Sequence, residues 1–139
     1  MAQAADDSPS YAATTRAVRI TVTPFYLADQ SSPDNHHFVF AYQIRIDNQR
    51  QDTVQLRSRY WRITDGNGRV QEVRGVGVVG EQPRLAPGES FEYTSGTPLA
   101  TASGIMVGTY QMVTDAGEPF EVAIPAFSLD APDAGRRLN

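Results

Sequence analysis

Phe38-Val39-Phe40-Ala41-Tyr42-Gln43-Ile44-Arg45-Ile46-Asp47 decides the fold class. Phe38, Phe40, Tyr42, Ile44 and Ile46 recur at every second position, and Gln43, Arg45 and Asp47 fill the gaps between the later ones. A period of two places the aromatic and β-branched side chains on one face of an extended strand and the polar ones on the other. Such residues suit a pleated surface buried on one side. Upstream, Val18, Ile20 and Val22 alternate with Arg19, Thr21 and Thr23, which predicts a second half-buried strand stopping at Pro24.

Downstream, Val54 and Leu56 open a strand whose apolar set returns at Trp61 and Ile63 on the opposite parity. A slip of one residue would turn Trp61 into water, so a bulge is expected near Ser58 to Tyr60. Asp65-Gly66-Asn67-Gly68 reads as a hairpin turn, its glycines and Asn supplying positive φ. Val70 with Val73, and then Val76 to Val79, predict two short strands around Gly75. Leu85-Ala86-Pro87-Gly88-Glu89 is a turn with proline at the φ-fixed position. Phe91 and Tyr93, then Ile105 to Val113, then Phe120, Val122 and Ile124 give the remaining strands; Asp115 to Gly117 turns between the last two, and Pro125 ends the last. No helical periodicity outlasts a turn. Turn signals about every eight to twelve residues predict an all-β chain, an antiparallel sandwich of about seven or eight strands, immunoglobulin-like or fibronectin type III-like.

The chain has 139 residues, ordinary for one domain. Residues 1–14, rich in Ala, Asp and Ser, and residues 131–139 are expected to be tails, leaving one domain over 15–130. There is no cysteine, which excludes disulfides and thiolate metal sites. A net charge of −4 disfavours a general nucleic-acid or anionic-membrane binder. All 12 basic residues are arginine, a side chain suited to planar, bidentate contacts. No run approaches the ~18 apolar residues of a membrane span. Met1 to Ser10 lacks the basic and apolar regions of a secretory signal, so a cytoplasmic location is expected.

Gly75-Val76-Gly77-Val78-Val79-Gly80 matches G-x-G-x-x-G. A dinucleotide site needs that string to open a helix, and here Glu81-Gln82-Pro83 and a Pro-Gly turn follow instead. Two readings remain: a backbone-amide nest for a smaller phosphate-bearing ligand, and a stretch of sheet whose glycines permit close packing. Arg57, Arg59 and Arg62 surround Tyr60 and Trp61. They form either an anion- or carboxylate-binding patch or arginine stems packed beside a buried Trp. The candidate binding surface is therefore Arg57, Arg59, Trp61, Gly75, Gly77, Gly80, Glu81 and Gln82.

His36 and His37 are the only histidines, and neighbours on a strand point to opposite faces and chelate poorly. Asp65-x-Asn67 begins like a calcium loop, but Arg69, Val70 and Val76 stand where a ligand, Gly and Glu are required. No metal site and no cofactor is expected. A serine nucleophile needs a histidine base within reach, and both histidines sit at one strand entrance. No two glutamates are placed by the pattern as an acid/base pair. The chain reads as a binding protein without enzymatic activity.

Arg59-Tyr60-Trp61-Arg62-Ile63-Thr64-Asp65-Gly66, Glu72-Val73-x-Gly75-x-Gly77-Val78-Val79-Gly80-Glu81-Gln82-Pro83 and Leu85-x-Pro87-Gly88-Glu89-x-Phe91-x-Tyr93-x-Ser95 closely resemble the ApaG family. So do Phe40-Ala41-Tyr42-x-Ile44-x-Ile46-x-Asn48, Gly104-x-Met106-x-Gly108-x-Tyr110-x-Met112 and Ile124-Pro125-x-Phe127-x-Leu129. The likeness spans residues 15 to 130 and departs at Tyr60, where the family usually has His, and at Ala102, where Pro commonly follows Thr. It implies a small fibronectin type III-like sandwich. It also implies a protein-interaction module with an unidentified protein partner, associated with cobalt and magnesium efflux. The loss of His at Tyr60 weakens any metal or proton role for that position.

Overall fold

The computed structural model describes residues 9–132 and contains nine strands: β1 (Tyr11–Thr15), β2 (Val18–Tyr26), β3 (Phe38–Asn48), β4 (Val54–Asp65), β5 (Val70–Val76), β6 (Arg84–Leu85), β7 (Ser90–Leu99), β8 (Ser103–Thr114) and β9 (Pro119–Asp130). Two single turns of 3₁₀ helix, Ala28–Gln30 and Pro33–Asn35, are the helical elements of the described chain. One sheet runs β1-β2-β3-β7; the other runs β5-β4-β8-β9, with β6 also paired to β4, and every pairing is antiparallel. The sandwich expected from the alternation at Phe38–Asp47 is the observed fold.

The core is the set of inward positions of both sheets. Val18, Ile20, Val22, Phe40, Tyr42, Ile44 and Ile46 of the first meet Leu56, Trp61, Met106, Tyr110, Val122 and Phe127 of the second. Tyr42, Trp61 and Phe127 form an aromatic triangle with centroids 5.4, 5.8 and 5.9 Å apart, two of its contacts edge-on. Such tilted pairs set the positive ring edge against the negative face. Asn48, 1% exposed, ties loops together: its Nδ2 donates to Asp52 O and Leu85 O, and its Oδ1 accepts from Arg50 N–H. Every polar valence buried there is answered, as a low-dielectric interior requires.

Four expectations need correction. The bulge in β4 lies at Arg57, between Leu56 and Ser58, because the Arg57 carbonyl is turned to accept Gly77 N–H and Gln82 Nε2. Pro24 does not end β2. Ala17 and Leu27 bond toward β3, so alternation turns the missing donor of Pro24 toward β1, which stops at Tyr11 opposite Val22. Pro125 does not end β9 either; Pro125-Ala126 opposes Val107 alone, and this bulge carries the apolar parity from Val122 and Ile124 over to Phe127 and Leu129. Residues 11–14 are not tail but β1, where Tyr11 stacks on Phe127 at 6.2 Å. At the other end Ala131 is buried and donates to Ala102 O. The remaining tail assignments, 1–8 and 133–139, lie outside the described residues.

Candidate functional site

The glycine string is one strand and one turn, not two strands. β5 runs through Gly75 to Val76; Val78 and Glu81 then bond each other reciprocally, Val78 N–H to Glu81 O at 2.8 Å and Glu81 N–H to Val78 O at 2.9 Å. Val79 (φ 42°) and Gly80 (φ 81°) make the turn between them. Positive φ at both central residues is the primed geometry that matches strand twist. A β-branched residue there is an outlier. Val78 is buried and plugs the core edge, whereas Val79 is 54% exposed at the tip.

Arg59 explains Gly75. Its guanidinium lies flat against Gly75, where a Cβ would come within 2.8 Å of three guanidinium atoms. From there Nη1 donates to Gly77 O at 2.7 Å and Val76 O at 3.3 Å. At Gly77 a Cβ would overlap the Glu81 carbonyl oxygen, so this position has no room for a side chain. Arg59, Gly75, Gly77 and Gly80 are thus brought together, and Gln82 reaches back to Arg57 O at 2.9 Å. Trp61 is not with them on the surface. It is 3% exposed and belongs to the core, with only its edge reaching a hollow of about 290 Å³ under the turn. The arginines do not share one patch: Arg59 has the inward parity of Trp61, and Arg62 the outward parity of Tyr60.

That hollow is floored by tyrosines. Tyr93 and Tyr110 hydroxyls meet at 2.5 Å, with Tyr42 and Ser95 lining the hollow beside Tyr93. Burial pushes all three phenols up, with Arg59 pulling each partly back. The folded chain therefore holds their protons at pH values where the unfolded chain releases them, from about pH 10. A raised folded pKa gives stability that is whole below the unfolded value and is lost as pH climbs toward the folded one. Each phenol still protonated in the fold should remove at most about 1.4 kcal/mol per pH unit above about pH 10. Urea midpoints measured from pH 8 to 11 should fall steeply past 10, and less steeply in Tyr93→Phe; a flat profile would contradict this placement of the phenols.

On the outward face of the second sheet, Tyr60 donates to Glu72 at 2.6 Å, and Arg74 lies 4.6 Å over its ring. The accepting carboxylate holds the Tyr60 hydroxyl above its ordinary value. Beside them an open groove of about 750 Å³ is lined by Ser58, Gly75, Thr109, Gln111 and Glu121. Among the described residues, the large apolar side chains left exposed are Val70, Val76, Val79, Ile105 and Val107, all on β5, β8 or the turn after β5. Sequence reasoning missed this face. Its signal was Ile105 and Val107 alternating with Met106 and Gly108, apolar on both parities, as in a strand covered on both sides.

Among the described residues no group of three or more His, Cys, Asp or Glu is placed to hold a metal, and no helix is long and apolar enough to cross a membrane. His36 adopts φ 55° before β3, with His37 bridged to Ser32. These features define a small two-sheet β-sandwich with a glycine-built turn at one sheet edge and an uncovered apolar face beside it. The ApaG domain model matches residues 28–114, and the chain belongs to the ApaG family. It is 64% identical to protein ApaG of Rhodospirillum centenum and 63% identical to that of Paramagnetospirillum magneticum, over 93% of this chain and 99% of each relative. The crystal structure of an ApaA protein from Bordetella pertussis, 56% identical, superimposes with a TM-score of 0.81 over 83% of this chain and 94% of its own. These relatives are not named as enzymes.

Proposed function

We propose that this protein is a non-catalytic docking module whose outward β5-β4-β8-β9 face binds a protein partner, and that any effect on cobalt or magnesium homeostasis passes through that partner. The observation that supports it is the gathering of the exposed large apolar residues on this sheet and its adjoining turn, beside Arg62, Glu72 and Arg74. An apolar patch rimmed by charge is the usual mark of a protein contact. A phosphate site at Gly75 to Gly80 is the lesser reading, because the amides of Gly77, Val78 and Glu81 are already bonded within the chain.

The test pairs capture with metal titration. Wild-type chain should retain a stoichiometric partner from its native cell, and Ile105→Asp/Val107→Asp should lose it while keeping its unfolding midpoint. Cobalt or magnesium at 100 times the dissociation constant of a direct site would add about 2.7 kcal/mol of stability. No shift in midpoint is expected at about 1 mM of either ion, an excess of that order over a ~10 μM site. A rise of several degrees would move the cation onto this chain. Retention of the partner by the double variant would move the contact elsewhere.

A further inference from the structure

β5 is an edge strand whose outer side is open, and its own sequence is the complement of itself. Gly77 N–H bonds Arg57 O, and Asp65 N–H bonds Arg69 O, so the odd-numbered residues of this hairpin arm face β4. Alternation therefore aims the N–H and C=O groups of Val70, Glu72, Arg74 and Val76 away from the sheet. Among the described residues only the Val76 carbonyl has another partner, Arg59 Nη1 at 3.3 Å, and a carbonyl accepts two donors. Edge strands are commonly blunted by proline or a bulge. β9 carries both; β5 carries neither.

We propose that two copies of this chain pair through β5, antiparallel about a two-fold axis at Val73, joining their second sheets into one. In this register Glu72 faces Arg74 of the second copy, and Arg74 faces its Glu72. Val70 faces Val76 of the second copy, and Val73 faces Val73. The four outward-aimed residues of each copy meet as hydrogen-bonded pairs, and the contact is isologous, the same patch on both sides. Val70 and Val76, 47% and 74% exposed in the single chain, each gain a cross-strand apolar neighbour. Charge selects the register. Centring the pair on residue 72 opposes Glu to Glu, and centring it on 74 opposes Arg to Arg, both destabilising.

This inference concerns the edge of the sheet and stands apart from partner docking on its face, whose test relies on Ile105 and Val107. Sedimentation equilibrium of the full chain up to about 1 mM should show mass rising from 15.2 kDa toward twice that value. Arg74→Glu alone sets Glu against Glu, and Glu72→Arg alone sets Arg against Arg. Each should weaken association about tenfold or more. Mixing the two variants, or combining them in one chain, restores opposite charges and should restore the dimer. Arg74→Pro, which removes an outward-aimed donor and the Arg74 charge without taking a hydrogen bond from the β4 ladder, should also give a single-chain mass. A wild-type chain that stays at the single-chain mass overturns the proposal. So does a dimer that survives both charge variants, or a mixture that fails to reassociate.

Discussion

Trp61→Ala should lower the stability of the folded chain by about 3–5 kcal/mol, a large part of the ~5–15 kcal/mol that holds a domain of this kind together. The indole fills the centre of the sandwich, edge-on to Phe127 at 5.9 Å and to Tyr42 at 5.4 Å. Truncation removes these contacts and leaves a cavity that strands locked on both sides cannot close. Because Trp61 is the only tryptophan, denaturant unfolding is followed by circular dichroism rather than indole emission. A loss below about 0.5 kcal/mol would make Trp61 a surface residue and return it to the binding site.

Gly108→Ala should cost about 3 kcal/mol, the upper end for one forced methyl in a packed site. Gly108 is opposite Trp61 across the β4–β8 ladder. A Cβ there would overlap the Tyr60 carbonyl oxygen and approach Trp61 Cε3 to 3.0 Å and Ile124 Cδ1 to 3.3 Å. The first of these neighbours is backbone inside a paired strand and cannot rotate away. Alanine here should lower the urea midpoint more than alanine at Gly96, an exposed position where a Cβ would meet the Phe40 carbonyl oxygen at 3.0 Å without overlapping it. Equal effects at the two positions would show that β8 yields to accommodate the methyl.

The parity of Phe38–Asp47 made the sandwich legible because one face of β3 is sealed and the other wet, so each residue states its side. The bulge of β4 was legible to within a residue, since only the turn of parity between Leu56 and Trp61 is written in side chains. Which carbonyl swings out depends on Gly77 and Gln82, far along the chain. Pro24 and Pro125 misled for one reason: a proline halts a strand only where its N–H is needed, and that depends on neighbours that sequence alone does not supply. The turn at Val79 was hidden because valine is a strand former held at positive φ by the reciprocal Val78–Glu81 bonds. Arg59, Gly75, Gly77 and Gly80 were found by their motif, although the motif's usual meaning does not fit the geometry. Ile105 and Val107 were passed over because an apolar residue carries no mark that distinguishes a covered face from an uncovered one.

The order of strands also bears on time. β3 pairs with β7 and β4 with β8, each across a long intervening segment, while β2–β3 and β4–β5 close within shorter reach. During synthesis the first sheet cannot gain its last strand until residues 90–99 have emerged, and the second waits for residues 103–114 and 119–130. Until then the apolar inner faces of β2, β3 and β4 have only one another for cover. Sheets built from such distant partners fold in milliseconds to seconds rather than microseconds. The nascent chain must therefore wait for its C-terminal third before both sheets are complete.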